Sequence, residues 1–359
     1  MTSHFGLRTS DLAAALLATL LWHGCCAPVA VAADLSDAEI LKILTTDQPR
    51  DKAIRRGLEF LRRAQRANGL FGDKFATANT SFAVMAHFAA GHTLEDQQYG
   101  ALLRRGVNAV LAQQDEDGYF GKKDGSNMYG HGITALMLAE AIGMTRDEEL
   151  EERMHRALQR AVKVTVNAAR VKKPAPHAGG WRYSPTEEAS DLSLSGWQLM
   201  SLHAVQQVGM PVPDEVIQAA VAYAKRLTTA DGKVGYQQRG DDRPALRGLA
   251  LLCFVIGGED KAAEVNAVTQ RIVKDPIRWE GEYFLYRAYY DAVGMSRGAP
   301  EAWRDYAPKL ESLLLERQRE DGSWGSPSSE LDRAGSVYTT SMAVLALAVQ
   351  RHVLPAYQR

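Results

Sequence analysis

Three side chains in this sequence carry acid–base chemistry and stand where glycine-containing turns give way to apolar runs: His131, Asp191 and Tyr338. A general acid or base works only within hydrogen-bond reach of its substrate, so these groups matter only if one surface collects them. Groups suited to holding a ligand lie close by in the chain: Tyr129, Trp181, Tyr183, Ser193, Glu282 and Tyr286. Each also offers a structural reading. Asp191, following Ser190, is placed to cap a helix. His131, between two glycines, suits a hydrogen-bonded core position, and the tyrosines suit packing with a bonded hydroxyl. The acids Asp115, Glu116, Asp117, Glu320 and Asp321 fall in turns and read as solvated. No cofactor or metal site is expected. The one cysteine beyond the N-terminal segment, Cys253, lies in the apolar run 251–256 and reads as a small buried hydrophobe.

The elements that must position these residues announce themselves as a repeat. Gln65-Arg-Ala-Asn-Gly69-Leu-Phe71-Gly72, Gln114-Asp-Glu-Asp-Gly118-Tyr-Phe120-Gly121 and Gln318-Arg-Glu-Asp-Gly322-Ser-Trp324-Gly325 share one pattern. Weaker copies are Gly179-Gly180-Trp181 and Thr228-Thr-Ala-Asp-Gly232; a fifth, near 275–279, keeps only an aromatic. Each copy ends an amphipathic helical run and precedes an apolar, small-residue-rich one (80–90, 132–142, 195–208, 246–256, 283–293 and 339–349). This spacing predicts about six helical hairpins. No sustained period-2 pattern predicts strands. A hairpin with one amphipathic and one apolar helix buries both faces either in an open solenoid or in a closed ring. An open solenoid needs polar capping units, and neither end of this chain supplies one. The expected fold is therefore all-α, a single α/α toroid of inner and outer helices. In such a ring the inner-helix starts converge on one mouth, where their positive dipole ends would favour anionic groups.

Composition narrows the partners. The 359 residues are 46% apolar with a net charge of −1, so there is no basic stripe for nucleic acid. The basic pairs Arg55-Arg56, Arg62-Arg63 and Arg104-Arg105 read as solvated polar faces. Arg8, the apolar run 12–21 and Ala30-Val31-Ala32 read as a secretory signal over residues 1–33, with 34–359 as the mature domain. The run is too short to span a bilayer. Export to a periplasmic or extracellular space is expected, with no transmembrane segment and no lipid anchor at Cys25.

The repeated turn resembles the QW repeat of squalene and oxidosqualene cyclases, whose toroid is shared by protein prenyltransferase β-subunits. The fullest copy keeps the Gln-x-x-x-Gly-x-Trp core at Gln318–Trp324. Gly179-Gly-Trp-Arg-Tyr-Ser184 and Ser195-Gly-Trp-Gln-Leu-Met200 also resemble exported planctomycete-type squalene-cyclase-like, prenyltransferase-repeat proteins. The resemblance implies the toroid over essentially the whole mature chain. The activities it implies meet substitutions. Squalene–hopene cyclases protonate an alkene with an Asp-x-Asp-Asp acid, and the matching segment here reads Asp191-Leu-Ser193-Leu. The zinc of prenyltransferases sits on Asp, Cys and His, and the matching positions are Asp191, Ser193 and Tyr338. Serine and tyrosine are poor zinc ligands, and a hydroxyl cannot protonate an alkene. Three functions remain open: an apolar, isoprenoid-like ligand in the barrel; an enzyme using Asp191, His131 and a tyrosine on a terpenoid or glycan, with Trp181, Trp324 and the tyrosines stacking sugars; or a scaffold acting through its outer surface.

Overall fold

The computed structural model describes residues 48–351 and residue 354; the expected signal segment and Cys25 lie outside these. Twelve α-helices follow in order: α1 Pro49–Ala64, α2 Ala76–Ala89, α3 Gly100–Leu111, α4 Asn127–Ala141, α5 Glu148–Ala169, α6 Leu192–Gln207, α7 Asp214–Leu227, α8 Arg247–Ile256, α9 Ala263–Lys274, α10 Phe284–Gly298, α11 Pro300–Glu316 and α12 Glu330–Ala348. The described residues contain isolated β-bridges and no strand.

Even-numbered helices are buried nearly all round; in α2 every residue from Thr77 to Ala89 is buried. Odd-numbered ones bury one stripe, such as Ala53, Ile54, Leu58 and Leu61 of α1. A helix buried on all sides must be enclosed by others. Accordingly α2, α4, α6, α8, α10 and α12 pack each on the next, and α12 returns to α2. The fold is an α/α toroid. Small residues let the inner helices meet closely. A Cβ on Gly248 of α8 would lie 2.3 Å from the Tyr290 carbonyl of α10, and one on Gly294 would lie 2.1 Å from that of Gly248.

The outer ring is stitched by the repeated turns. Gln65 donates its side-chain amide to Gly69 within its own turn (3.0 Å) and to Leu102 on the next outer helix (2.9 Å). Gln114 does the same to Gly118 and Ala157, and Gln318 to Gly322 and Ala53. The turn glycine then lies against that next helix. At Gly322 (φ 88°) a Cβ would sit 2.3 Å from the Arg56 carbonyl, and at Gly179 (φ 84°) 2.2 Å from that of Ala219. Since Gln318 and Gly322 reach α1, the first helix serves as outer partner to the last inner one, and the ring is closed.

Two expectations change here. The outer-helix arginines are more than solvated faces: Arg56 donates to the carbonyls of Arg319 and Glu320, Arg105 to the Gln65 side chain, Arg160 to that of Gln114 and Arg226 to Ala178. Each clamps the turn of the preceding unit. The doubtful fifth turn has no glycine docking. Asp275 takes its place, bonded to Arg247 at 2.7 Å, and Arg287 continues the lattice to the buried Asp291 at 3.1 Å. Arg247, the first residue of α8, is thereby held in the wall.

Candidate functional site

Inner-helix starts do converge on one mouth, and Asp191 is its hub. The carboxylate is fully buried and caps α6, accepting from the Leu194 amide at 2.9 Å and from the Ser193 hydroxyl at 2.8 Å. Its second oxygen meets Arg182 at 3.3 Å, and Tyr236 stands in electrostatic range of it. Tyr129 bonds to Ser193; because Ser193 donates to Asp191, the hydroxyls run as a relay from Tyr129 through Ser193 to the carboxylate. Burial pushes the Asp191 carboxyl up, and the Leu194 and Ser193 hydrogen bonds, the Tyr236 hydroxyl and the Arg182 charge oppose it.

Aromatic rings surround this hub. Arg182 lies 4.9 Å from the Tyr183 ring centre and 5.8 Å from that of Tyr236. Tyr183 and Tyr129 approach at 6.0 Å, and the Tyr183 and Tyr236 hydroxyls at 3.3 Å. Tyr286 stands in electrostatic range of Asp191, Tyr236 and Tyr338. Tyr338 packs edge-on against Phe82 at 5.5 Å and stands in electrostatic range of Glu330. Tyr129, Tyr236, Tyr286 and Tyr338 are half-buried and Tyr183 is 38% exposed. Burial drives the Tyr129, Tyr286 and Tyr338 hydroxyls well above the ordinary tyrosine value, so all three are neutral donors at neutral pH.

Below the mouth the lumen is bridged. Trp197 of α6 meets Phe82 of α2 edge-on at 5.4 Å and stacks on Tyr289 of α10 at 5.9 Å and 8°. These helices alternate around the ring, so both contacts cross the axis. Two hollows lie outside the barrel, one of about 180 Å³ beside Arg153, Arg156 and Arg160 and one of about 250 Å³ between α1 and Gly322.

Of the residues singled out in the sequence, the structure brings together Tyr129, Tyr183, Asp191, Ser193, Tyr286 and Tyr338. It places His131 and Trp181 in the wall. His131 is fully buried between α4 and α5: its Nδ1 accepts from the Phe120 amide at 3.2 Å, and its Nε2 donates toward Ala161 and Thr165, each at 3.1 Å. Burial lowers its pKa to about 4, so the ring is neutral and committed to the wall. Thr80, Ser195 and Thr340 do the same job for Phe71, Trp181 and Trp324. Trp181 and Trp324 are buried, their indoles donating to the Thr165 carbonyl at 2.9 Å and the Leu314 carbonyl at 2.7 Å, and neither can stack a sugar. Glu282 is exposed beside the start of α10.

The dipole expectation is corrected too. Asp124 accepts from the Thr77 amide of α2 at 2.7 Å, Asp191 caps α6, and Glu330 accepts from Leu285 and Tyr286 of α10 at 3.2 and 3.1 Å. At these three of the six inner helices the protein's own carboxylates fill the places an anion would take. Reasoning from sequence missed Arg182, Tyr236, Asp124 and Glu330. An aspartate two residues before a serine, as at Asp124, was the one available signal. Among the described residues, no group of three or more His, Cys, Asp or Glu is placed to hold a metal, and no helix is long and apolar enough to cross a membrane.

Known structures share this architecture. The chain is similar to an inactive variant of the α-1,6-mannanase GH76A of Salegentibacter in complex with α-1,6-mannotriose (TM-score 0.59, 11% identity, covering 84% of this chain and 100% of that one). It is also similar to the GH76 α-mannanase of Bacteroides thetaiotaomicron (0.58, 13%, 87% and 98%) and to the type II terpene cyclase MstE of Scytonema (0.50, 17%, 85% and 99%). At these identities the likeness is one of fold. No protein-family model matches the sequence, and no curated protein matches it.

Proposed function

We propose that the protein binds a neutral, hydroxyl-rich ring compound, a glycan, at the tyrosine-lined mouth and does not cleave it. The observation that carries this reading is the Trp197 bridge with half-buried tyrosines above it. An isoprenoid in the lumen would need the space that Trp197, Phe82 and Tyr289 fill, whereas sugar rings lie with their C–H faces on aromatic rings and their hydroxyls on neutral phenols. The carboxylates already held at the N-termini of α2, α6 and α10 argue against an anionic ligand there. Cleavage is disfavoured because glycoside hydrolysis uses two available carboxyl groups, and Asp191 is already bonded to Ser193, Leu194 and Arg182. Support also comes from a neighbour of the same fold, the mannanase seen with mannotriose.

The test is calorimetric titration with linear manno-, xylo- and gluco-oligosaccharides, followed by product analysis. Binding without release of shorter sugars, lost in Tyr183→Ala, is the expected result. Binding of farnesyl or geranylgeranyl lipids by the wild type, with none of the sugars bound, would reverse the reading.

A further inference from the structure

Among the described residues, three that are not glycine have a left-handed backbone: Phe75 (φ 48°), Asn127 (φ 55°) and Tyr283 (φ 53°). All three stand at the mouth, where α2, α4 and α10 begin. Glycine sits in this region without steric cost, and for a bulky side chain it is an outlier. Such strain persists where the side chain or its placement is needed. The side chains are presented outward. Phe75 is 38% exposed, equal to Tyr183, and Asn127 is exposed. The remaining large exposed hydrophobic, Val273, lies on the outer helix α9.

Their positions in the ring are not random. Phe75 precedes α2 and Tyr283 precedes α10, the two neighbours of α12. The segment opening α12 links them: Lys74 donates to the Asp332 carbonyl at 3.0 Å, and Arg333 donates to the Tyr283 hydroxyl at 3.2 Å, its guanidinium 6.0 Å from that ring. Tyr183 and Tyr236 precede α6 and α8, on the other side of the ring order. Between the two groups lies the floor of Tyr129, Tyr286 and Tyr338.

We infer that Phe75 and Tyr283, with Asn127 beside them, form a second contact platform, so that the mouth takes a linear oligosaccharide lying across the ring from Tyr183 to Phe75. This rests on the reading of the mouth as a glycan site. It adds the class of glycan, a chain of several sugars, and the residues that recognise its length.

The experiment titrates wild type, Phe75→Gly, Phe75→Ala, Phe75→Trp and Tyr283→Gly with a series from disaccharide to hexasaccharide of the best-bound sugar, and melts each variant. In the wild type, affinity should rise with each added sugar up to a plateau. The glycine and alanine variants should lose that rise, about tenfold on the hexasaccharide, and Phe75→Trp should keep it. Phe75→Gly should melt no lower than Phe75→Ala, since glycine accepts the backbone angle. Hexasaccharide bound by Phe75→Gly and Tyr283→Gly as tightly as by wild type, with Tyr183→Ala still impaired, would overturn the second platform and leave the glycan site standing. Absence of wild-type binding to every oligosaccharide would remove both.

Discussion

The side-chain amide of Gln318 donates to the Ala53 carbonyl at 2.8 Å, joining the turn after α11 to the first helix of the ring. Gln318→Ala should therefore destabilise the fold by about 1–3 kcal/mol, the range for leaving a buried acceptor without its donor. Gly322→Ala should cost more, because its Cβ would press on the Arg56 carbonyl and φ is 88°. Urea unfolding orders the two; a Gly322→Ala protein as stable as wild type would contradict this account of the turn.

Trp197 should be replaceable only at the expense of an internal hole. Trp197→Ala is expected to lose about 3–5 kcal/mol and to gain a dry cavity between Phe82 and Tyr289. A rise in melting temperature on adding toluene, seen in the variant and not in the wild type, checks this.

The buried Arg287–Asp291 pair, with Tyr306 donating to Asp291 at 2.7 Å, predicts a non-additive pair of substitutions. Asp291→Leu alone takes from the buried guanidinium its nearest carboxylate, leaving it only Asp275, and should cost about 3–5 kcal/mol. The double variant Arg287→Met with Asp291→Leu should be more stable than that single one. Denaturation of the three proteins decides it.

Stability should fall as the solution is acidified below the ordinary histidine range. Burial lowers His87, His131 and His203 from 6.5 to about 4. Between those values the unfolded chain takes up protons that the folded one refuses, so stability is whole above pH 6.5 and declines towards pH 4. Asp191 and Asp291 oppose this in part: burial raises both, so their ionisation costs stability as pH climbs past 3.8. Melting curves from pH 7 to pH 4 test the decline, and His131→Asn should flatten it. An unchanged profile in that variant would mean that His131 is protonated in the fold.

Much of the ring could be read from the sequence because glutamine, glycine and aromatic perform one task at fixed spacing. The hairpin count follows from Gln65, Gln114 and Gln318. Other features escaped because their spacing varies. The inner-helix residue that receives the aromatic's amide lies 9 positions on at Thr80, 11 at His131, 14 at Ser195 and 16 at Thr340. No pattern search would align them, and His131 therefore looked like a catalyst. The inner helices α2, α4, α6 and α12 also begin earlier than apolar periodicity suggests: α4 opens with Asn127 and Tyr129, which precede the apolar run and stand at the mouth. The arginine clamps were invisible because an arginine on a polar face looks the same whether or not a carbonyl awaits it.

The docking of α1 outside α12 has a consequence for how the chain is made. A Cβ on Gly57 would sit 2.7 Å from Val344 and 2.9 Å from Trp324, so the face of α1 is shaped to a surface near the other end of the sequence. During synthesis from the N-terminus, Ile54, Leu58 and Leu61 emerge long before their cover exists. A growing chain therefore carries an uncovered apolar helix until the last hairpin arrives. Contacts of such long sequence separation form late and slowly, and this seam is the point at which a chaperone would have the most to protect.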